Sequence, residues 1–381
     1  MTPSMIAKAR LAIALIFFIH GFVTGAWVPH IPLAQQRLDL DLASFGLALL
    51  SLAAGAVAAM PLTGMLVNRH GSARITMVTG LLFSLALPLP AMAEGVTLFV
   101  LALAAFGATI GSMDVAMNAH GLAVETHMRR PTMSLLHGMY SLGAMSGAGL
   151  SALVLETAPV GIHLAGAVLI AVTVVAAAGR GLLPGAADQG SSSEAFFALP
   201  SRATVGLGVL CFVALMAEGA VLDWSAIQLK QDFGMPAHRA GLGYALFALG
   251  MAGVRFAGDH LRSRIGSANL VRISAIVLCA AMTAALLSPS ELVAIAAYGL
   301  AGLGMGNIVP VLFGGGGRLT PDAPGRGIAA VVTMGYAGFV AGPPFIGFLG
   351  QAIGLTAALF VIVTGAVAIA ASARLAGAAD R

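Results

Sequence analysis

Apolar residues along this chain gather into twelve long runs, broken by short stretches rich in charge, glycine or proline. The runs predict helices near 11–33, 43–67, 74–93, 97–123, 133–156 and 160–180. After a polar break they resume near 204–228, 239–257, 269–288, 291–316, 326–351 and 354–373. Each approaches or exceeds the roughly 20 apolar residues that carry a helix across a bilayer. No segment alternates with the period of a barrel strand, and backbone facing lipid must satisfy its own hydrogen bonds, so every run reads as helix.

Composition strengthens this picture. Hydrophobic residues make up 59% of the 381 and charged residues only 9%, where a soluble domain carries about 25% charge. Mean hydropathy is +0.96. Too little polar surface exists to cover a soluble particle, so lipid is the expected solvent. Lys8 and Arg10 precede the first run as they would in a signal peptide. That run continues through Trp27 without a small-residue cleavage site, and it reads as the first span. Cys211 and Cys279 both fall inside apolar runs and are expected as buried thiols rather than a disulfide.

Charge then orients the spans. With the N-terminus inside, the basic residues fall overwhelmingly on the cytoplasmic side. Only Arg37, Lys230 and Arg239 lie outside, with Arg255 inside a helix. Such a bias predicts a multi-pass inner-membrane protein with both termini cytoplasmic. The net charge of +4 is dispersed over short loops, which argues against nucleic-acid binding. The longest polar stretch contains Pro184, Gly185, Gly190 and Ser191-Ser192-Ser193. It reads as a cytoplasmic linker over 181–203 between an N-terminal six-helix bundle (1–180) and a C-terminal one (204–381), with a short interfacial helix at Phe196 and Phe197 as the alternative.

An internal repeat joins those halves. Adding 195 carries Arg69-x-Gly71 onto Arg264-x-Gly266 and Gly107-x-x-x-Gly111 onto Gly302-x-x-x-Gly306. The same offset carries Met139, Gly143 and Gly147 onto Met334, Gly338 and Gly342. One constant offset in three separated segments predicts two six-helix repeats in parallel orientation. A slightly different offset pairs Trp27 with Trp224 near the outer ends of spans 1 and 7.

The loop Gly64-Met-Leu66-Val-Asn68-Arg69-His-Gly71 resembles the signature Gly-x-Leu-x-Asp-Arg-x-Gly of the major facilitator superfamily. Asn68 stands where the family has Asp, and its repeat mate is Ser263, which weakens the motif's charge relay. Arg255 and Asp259, one helical turn apart, are candidates for a substitute ion pair. Gly111-Ser-Met-Asp114-Val-Ala-Met-Asn118, with Glu125, Arg130-Pro131, His137-Gly138 and Tyr140-Ser141, resembles a narrower branch of MosC-like and YbjJ-like bacterial proteins near the sugar permeases. The resemblance implies an all-α membrane protein in the twelve-helix major facilitator fold, a secondary transporter and not an enzyme. It also implies gating roles for Gly64, Asn68, Arg69, Gly71, Arg255, Asp259 and Arg264. The Gly-Pro pair that drug exporters carry on helix 5 is absent, since Ala148 follows Gly147; the proline stands instead on helix 11, in Gly342-Pro343-Pro344.

Charges inside spans are expensive and mark function by default. Asp114 shares a face of helix 4 with Asn118, Gly121 and Glu125, at i+4, i+7 and i+11. Counting from the cytoplasmic ends sets Tyr140 and Ser141 of helix 5 near the depth of Asp114, and His137 near that of Asn118. Asp114 is therefore the first candidate proton site, against an inert network that ties helices 4 and 5 together. Glu218 is the second, on helix 7. Asp223, five residues on, points about 140° away and cannot share its face. Candidate substrate contacts are Asn118, His137, Tyr140, His20, Trp27, Asp223, Trp224, Asn307 and Tyr336. Asn307 and Pro310 predict a kinked helix 10 that frees backbone carbonyls near the midplane.

No nucleotide loop, metal-spaced cluster or nucleophile elbow occurs, so no cofactor or metal is expected and an ion gradient is the expected energy source. The reading that results is a monomeric, proton-coupled symporter of a small polar solute, working by alternating access within the lipid bilayer. A proton-driven exporter of amphipathic or cationic compounds is the alternative, drawing on three buried acids against one arginine and on 18 methionines. A transport-inactive sensor is the third reading.

Overall fold

The computed structural model describes residues 2–130, 132–184, 198–320 and 322–380, and is all-helical there. The expected interfacial helix at Phe196 and Phe197, most of the linker, and Pro131 lie outside the described residues. Sixteen α-helices follow in order: α1 (Pro3–Trp27), α2 (His30–Arg37), α3 (Leu42–His70), α4 (Ser72–Ala86), α5 (Pro88–Met92), α6 (Val96–Met128), α7 (Met133–Thr157) and α8 (Val160–Gly179). The second set is α9 (Val205–Phe233), α10 (Ala237–Ala240), α11 (Leu242–Ile265), α12 (Ser267–Leu287), α13 (Glu291–Met305), α14 (Ile308–Arg318), α15 (Pro324–Ile353) and α16 (Leu355–Ser372). A 3₁₀ turn over Ala373–Asp380 closes the described chain. Counting α1–α2, α4–α5, α10–α11 and α13–α14 as single crossings, twelve helices among the described residues are long and apolar enough to cross a membrane.

Several predicted runs are cut or lengthened. The apolar pattern predicts the first run unbroken over 11–33, but α1 ends at Trp27 and α2 begins after Pro29. It predicts the third unbroken over 74–93, but α4 gives way to α5 at Leu87 and Pro88. Pro29 directly precedes α2 and Pro88 is the first residue of α5, where the missing backbone N–H costs little. Helix 10 breaks at Gly306-Asn307, between α13 and α14, beside the expected kink. The fourth span runs to Met128, five residues beyond its predicted end at 123, so Glu125 is helical.

Two compact units divide the chain. One contains the residues up to Leu38 and those from Ser51 to the linker. The other contains Asp39–Leu50 and the residues after the linker. Within the first, α1 packs along α7 and α8, and α4 along α6 and α8. Within the second, α9 packs along α15, α11 along α13, and α12 along α13 and α16. In the second unit Asp41 caps α3, its carboxylate accepting from the Ser44 N–H at 2.7 Å. That bond holds the Asp41 carboxyl below the usual carboxylate range.

The repeat recurs in atomic detail. Gly71 and Gly266, 195 apart, open α4 and α12 with φ of +83° and +75°, a region that side chains rarely enter. A Cβ on Gly107 would overlap the Leu52 carbonyl, and one on Gly302 would overlap the Phe247 carbonyl. Leu52 and Phe247 are themselves 195 apart, so the same glycine-to-backbone contact sits at corresponding points of each unit. Close approach of this kind is how helices gain van der Waals contact where lipid is as apolar as the side chains.

Candidate functional site

In the C-terminal unit a buried ion pair meets the break in helix 10. Arg255 of α11 is 7% exposed. Its Nη2 lies 3.7 Å from Glu218 Oε1 of α9, and its Nε donates to the Gly306 carbonyl at 3.2 Å. The carbonyl that the break was expected to free is therefore held by Arg255. Asp259, one turn further along α11, is exposed. Asn307 is buried, with Oδ1 against Gly258 of α11 and Nδ2 without a partner. Trp224 is fully buried, edge-on to Phe45 at 6.2 Å, and its indole N–H has no partner. Asp223 is half-buried one residue before it. Tyr336, on α15, packs against Phe339 at 6.4 Å.

The N-terminal unit carries imidazoles instead. Asn118 donates to the Asp114 carboxylate at 3.0 Å and to its carbonyl at 2.8 Å, so the predicted i, i+4 pair is a bonded unit along α6. His20 is 3% exposed between Phe83, at 5.0 Å, and Tyr140, at 5.3 Å. Neither of its ring nitrogens finds a partner. His137 stands edge-on to Phe17 at 5.4 Å. Both contacts bring α7 to α1. Glu125, placed on the inward polar face by periodicity, caps a helix instead: its Oε2 accepts from the N–H groups of Thr132 and Met133 at the start of α7, at 2.6 and 2.9 Å. A carboxylate there meets orphan donors and the positive end of the helix dipole.

Gly64 is buried within α3, whereas Asn68, Arg69 and Arg264 are exposed. Arg69 makes no ion pair among the described residues.

Three polar networks escaped sequence reasoning. His30, His163 and Ser151 form a chain near the end of α1. His120 of α6 joins Ser72 at 2.7 Å to the Leu183 N–H at 3.1 Å. Gln228, fully buried, joins Tyr298 and Asp232. Each was signalled only as a polar residue inside an apolar run, since its contacts range from 4 to 133 positions apart and follow no common spacing. Cys211 and Cys279 are both free.

The model of the Major Facilitator Superfamily matches residues 13–205 and 207–378, nearly the whole chain. The chain belongs to that superfamily. Within it lies the MosC-like branch. The chain is 36% identical to an uncharacterized MFS-type transporter of Yersinia pestis, over 96% of this chain and 95% of that one. It is 34% identical to the membrane protein MosC of Rhizobium meliloti, over 95% and 88%. Solved structures share the fold at low identity. The nucleoside transporter NupG superposes with a TM-score of 0.72 at 14% identity, covering 98% of this chain and 99% of that one. The E. coli fucose:proton symporter FucP does so with 0.64 at 18%, covering 96% and 98%. This major facilitator protein is a multi-pass secondary transporter, not an enzyme.

Proposed function

We propose that this transporter imports a small polar solute together with protons, by alternating access, as a monomer in the bacterial inner membrane with both termini cytoplasmic. The observation that carries the reading is the buried Glu218–Arg255 pair tied to the helix break at Gly306. A carboxylate paired with a buried arginine is costly to separate while both are charged. A proton on Glu218 removes one charge of the pair, while Arg255 keeps its bond to Gly306. Proton occupancy is thereby linked to the segment where helix 10 is already interrupted, which is where irregular backbone at membrane depth serves a ligand. Asp114, bonded to Asn118, is the candidate proton site of the N-terminal half.

The candidate solute contacts are Asn118, His137, Tyr140, His20 and Trp27 in the first half, and Asp223, Trp224, Asn307 and Tyr336 in the second. The unpartnered nitrogens of His20 and Asn307 favour a solute rich in hydroxyl or amino groups, because a buried polar atom without a partner costs about 1–3 kcal/mol. Gating falls to Gly64, Asn68 and Arg69 at the end of α3 with Gly71 beyond it, and to Arg255, Asp259 and Arg264 in the second half.

The test is gradient-driven uptake in proteoliposomes, for a solute found by a thermal-shift screen of polyols, amino sugars and amines. Glu218→Gln and Asp114→Asn are expected to lose accumulation while keeping solute binding. Accumulation at wild-type rate in either variant sinks that residue's coupling role. Solute loading of everted vesicles on acidification of their lumen would instead establish proton-driven export.

A further inference from the structure

We infer that His30 and His163 form a second proton-binding site, confined to the N-terminal half, at the end of α1 that the charge pattern puts outside. The inference deepens the proton-linked reading above and rests on separate residues.

Hydrogen-bond geometry assigns every proton in the chain. Ser151 Oγ lies 2.6 Å from the Gly147 carbonyl, which can only accept, so the single hydroxyl proton is committed there. His163 Nε2, 2.7 Å from the same Oγ, must then carry a hydrogen and donate it. His163 is thereby fixed with Nδ1 as acceptor. His30 Nε2, 3.1 Å from that Nδ1, must donate in turn. One acceptor is left over, Nδ1 of His30, which bonds to no described residue. A proton from water adds to that lone pair, turns His30 into an imidazolium, and breaks no existing bond. His120 is the contrast. Its Nε2 accepts from Leu183 and its Nδ1 therefore donates to Ser72, so protonation there would break a bond.

The surroundings suit a cation that comes and goes. The Trp27 ring lies nearly parallel to His30, at 20° and 6.3 Å between centroids, presenting the face that attracts positive charge. The charged group of α2 itself is Arg37, which donates to the Pro90 and Ala91 carbonyls of α5 but lies near enough for its charge to oppose a cation on His30. Glu94, beyond α5, acts on Arg37. Glu156 of α7 is exposed, α8 carries no other ionisable residue within its helix, and the remaining imidazole of α1, His20, lies about two turns below Trp27. No carboxylate pairs with either ring among the described residues. His30 and His163 are 1% and 4% exposed. An unpaired cation so deeply buried is expensive. The protonated pair therefore belongs to a hydrated conformation and the neutral pair to this dry one, and that alternation is what couples a proton to opening.

The test is a proton count by nitrogen-15 histidine NMR on the full-length protein in detergent micelles, with no solute present. Between about pH 5 and 8, where imidazoles titrate, the wild-type chain is expected to show one step that His30→Gln abolishes, since the amide still donates to His163 but cannot take the proton. The step is expected to persist in Glu218→Gln, so its fate is independent of the Glu218 reading. If His30→Gln does not fold, His163→Gln serves: the His30 step should move by half a pH unit or more. Equal proton uptake in wild type and His30→Gln, or an unmoved step in His163→Gln, overturns the inference.

Discussion

The two halves of this transporter share their packing and differ in their chemistry. Gly107 meets Leu52 as Gly302 meets Phe247, and Gly71 turns the chain as Gly266 does, all at the same offset of 195. The ionisable residues follow no such rule. At that offset Arg255 corresponds to Met60, Glu218 to Val23, Asp114 to Val309 and His163 to Ala358. One half holds a carboxylate–arginine pair beside a broken helix, and the other holds chains of imidazoles and an Asp–Asn unit. Duplication thus accounts for the scaffold, where close helix approach depends on position alone. The charges do not follow the repeat, because a buried charge needs partners that only its own neighbours supply.

The largest expected effect separates Arg255 from its repeat mate. Arg255→Leu leaves Glu218 buried without its counter-charge and should cost about 3–5 kcal/mol, whereas Met60→Leu at the corresponding buried site should cost under about 1.5 kcal/mol. Unfolding in mixed micelles by SDS measures both. Adding Glu218→Gln should recover part of the Arg255→Leu loss, and no recovery would mean the pair is not coupled.

Next come the shared contacts. Gly107→Val and Gly302→Val each drive a side chain into a carbonyl and should destabilise by about 1–3 kcal/mol or more. Losses in the two halves that differ several-fold would break the claim of equivalent packing. Smaller again is the cap on α7. Glu125→Ala should cost about 1 kcal/mol, while its mate Thr320, which donates to the Gly316 and Ala323 carbonyls, makes no such cap. The smallest effect involves the Asp41 cap of α3. Its carboxyl is depressed in the fold, so its contribution is present above the unfolded carboxylate value and lost as pH falls through the folded one. The melting-point gap between wild type and Asp41→Asn should accordingly shrink from pH 7 to pH 3.

What the sequence revealed follows the same division. Twelve apolar runs and the offset of 195 were readable because both depend on local composition and on glycines, which need no partner to be recognised. The breaks at Pro29 and Pro88 were passed over because apolar residues continue through them. The partners of buried charges were not readable. Spacing alone suggested Asp259 for Arg255 and gave no sign of the carboxylate of Glu218, 37 positions away on another helix. His30 and His163 are 133 positions apart. Glu125 lies on the polar stripe of its helix, but the orphan N–H groups at the start of α7 claim it, and the strength of a helix terminus as an anion site outweighs periodicity there.

The central claim is that solute and proton cross together through a coupling group at Glu218. The measurement that reaches it most directly is the internal pH of proteoliposomes loaded with a pH-sensitive dye, followed on addition of a solute identified by thermal shift. Wild-type protein should acidify the lumen as solute enters, and Glu218→Gln should admit solute by exchange without a pH change. Solute entry into wild-type vesicles that leaves the lumenal pH constant would contradict it.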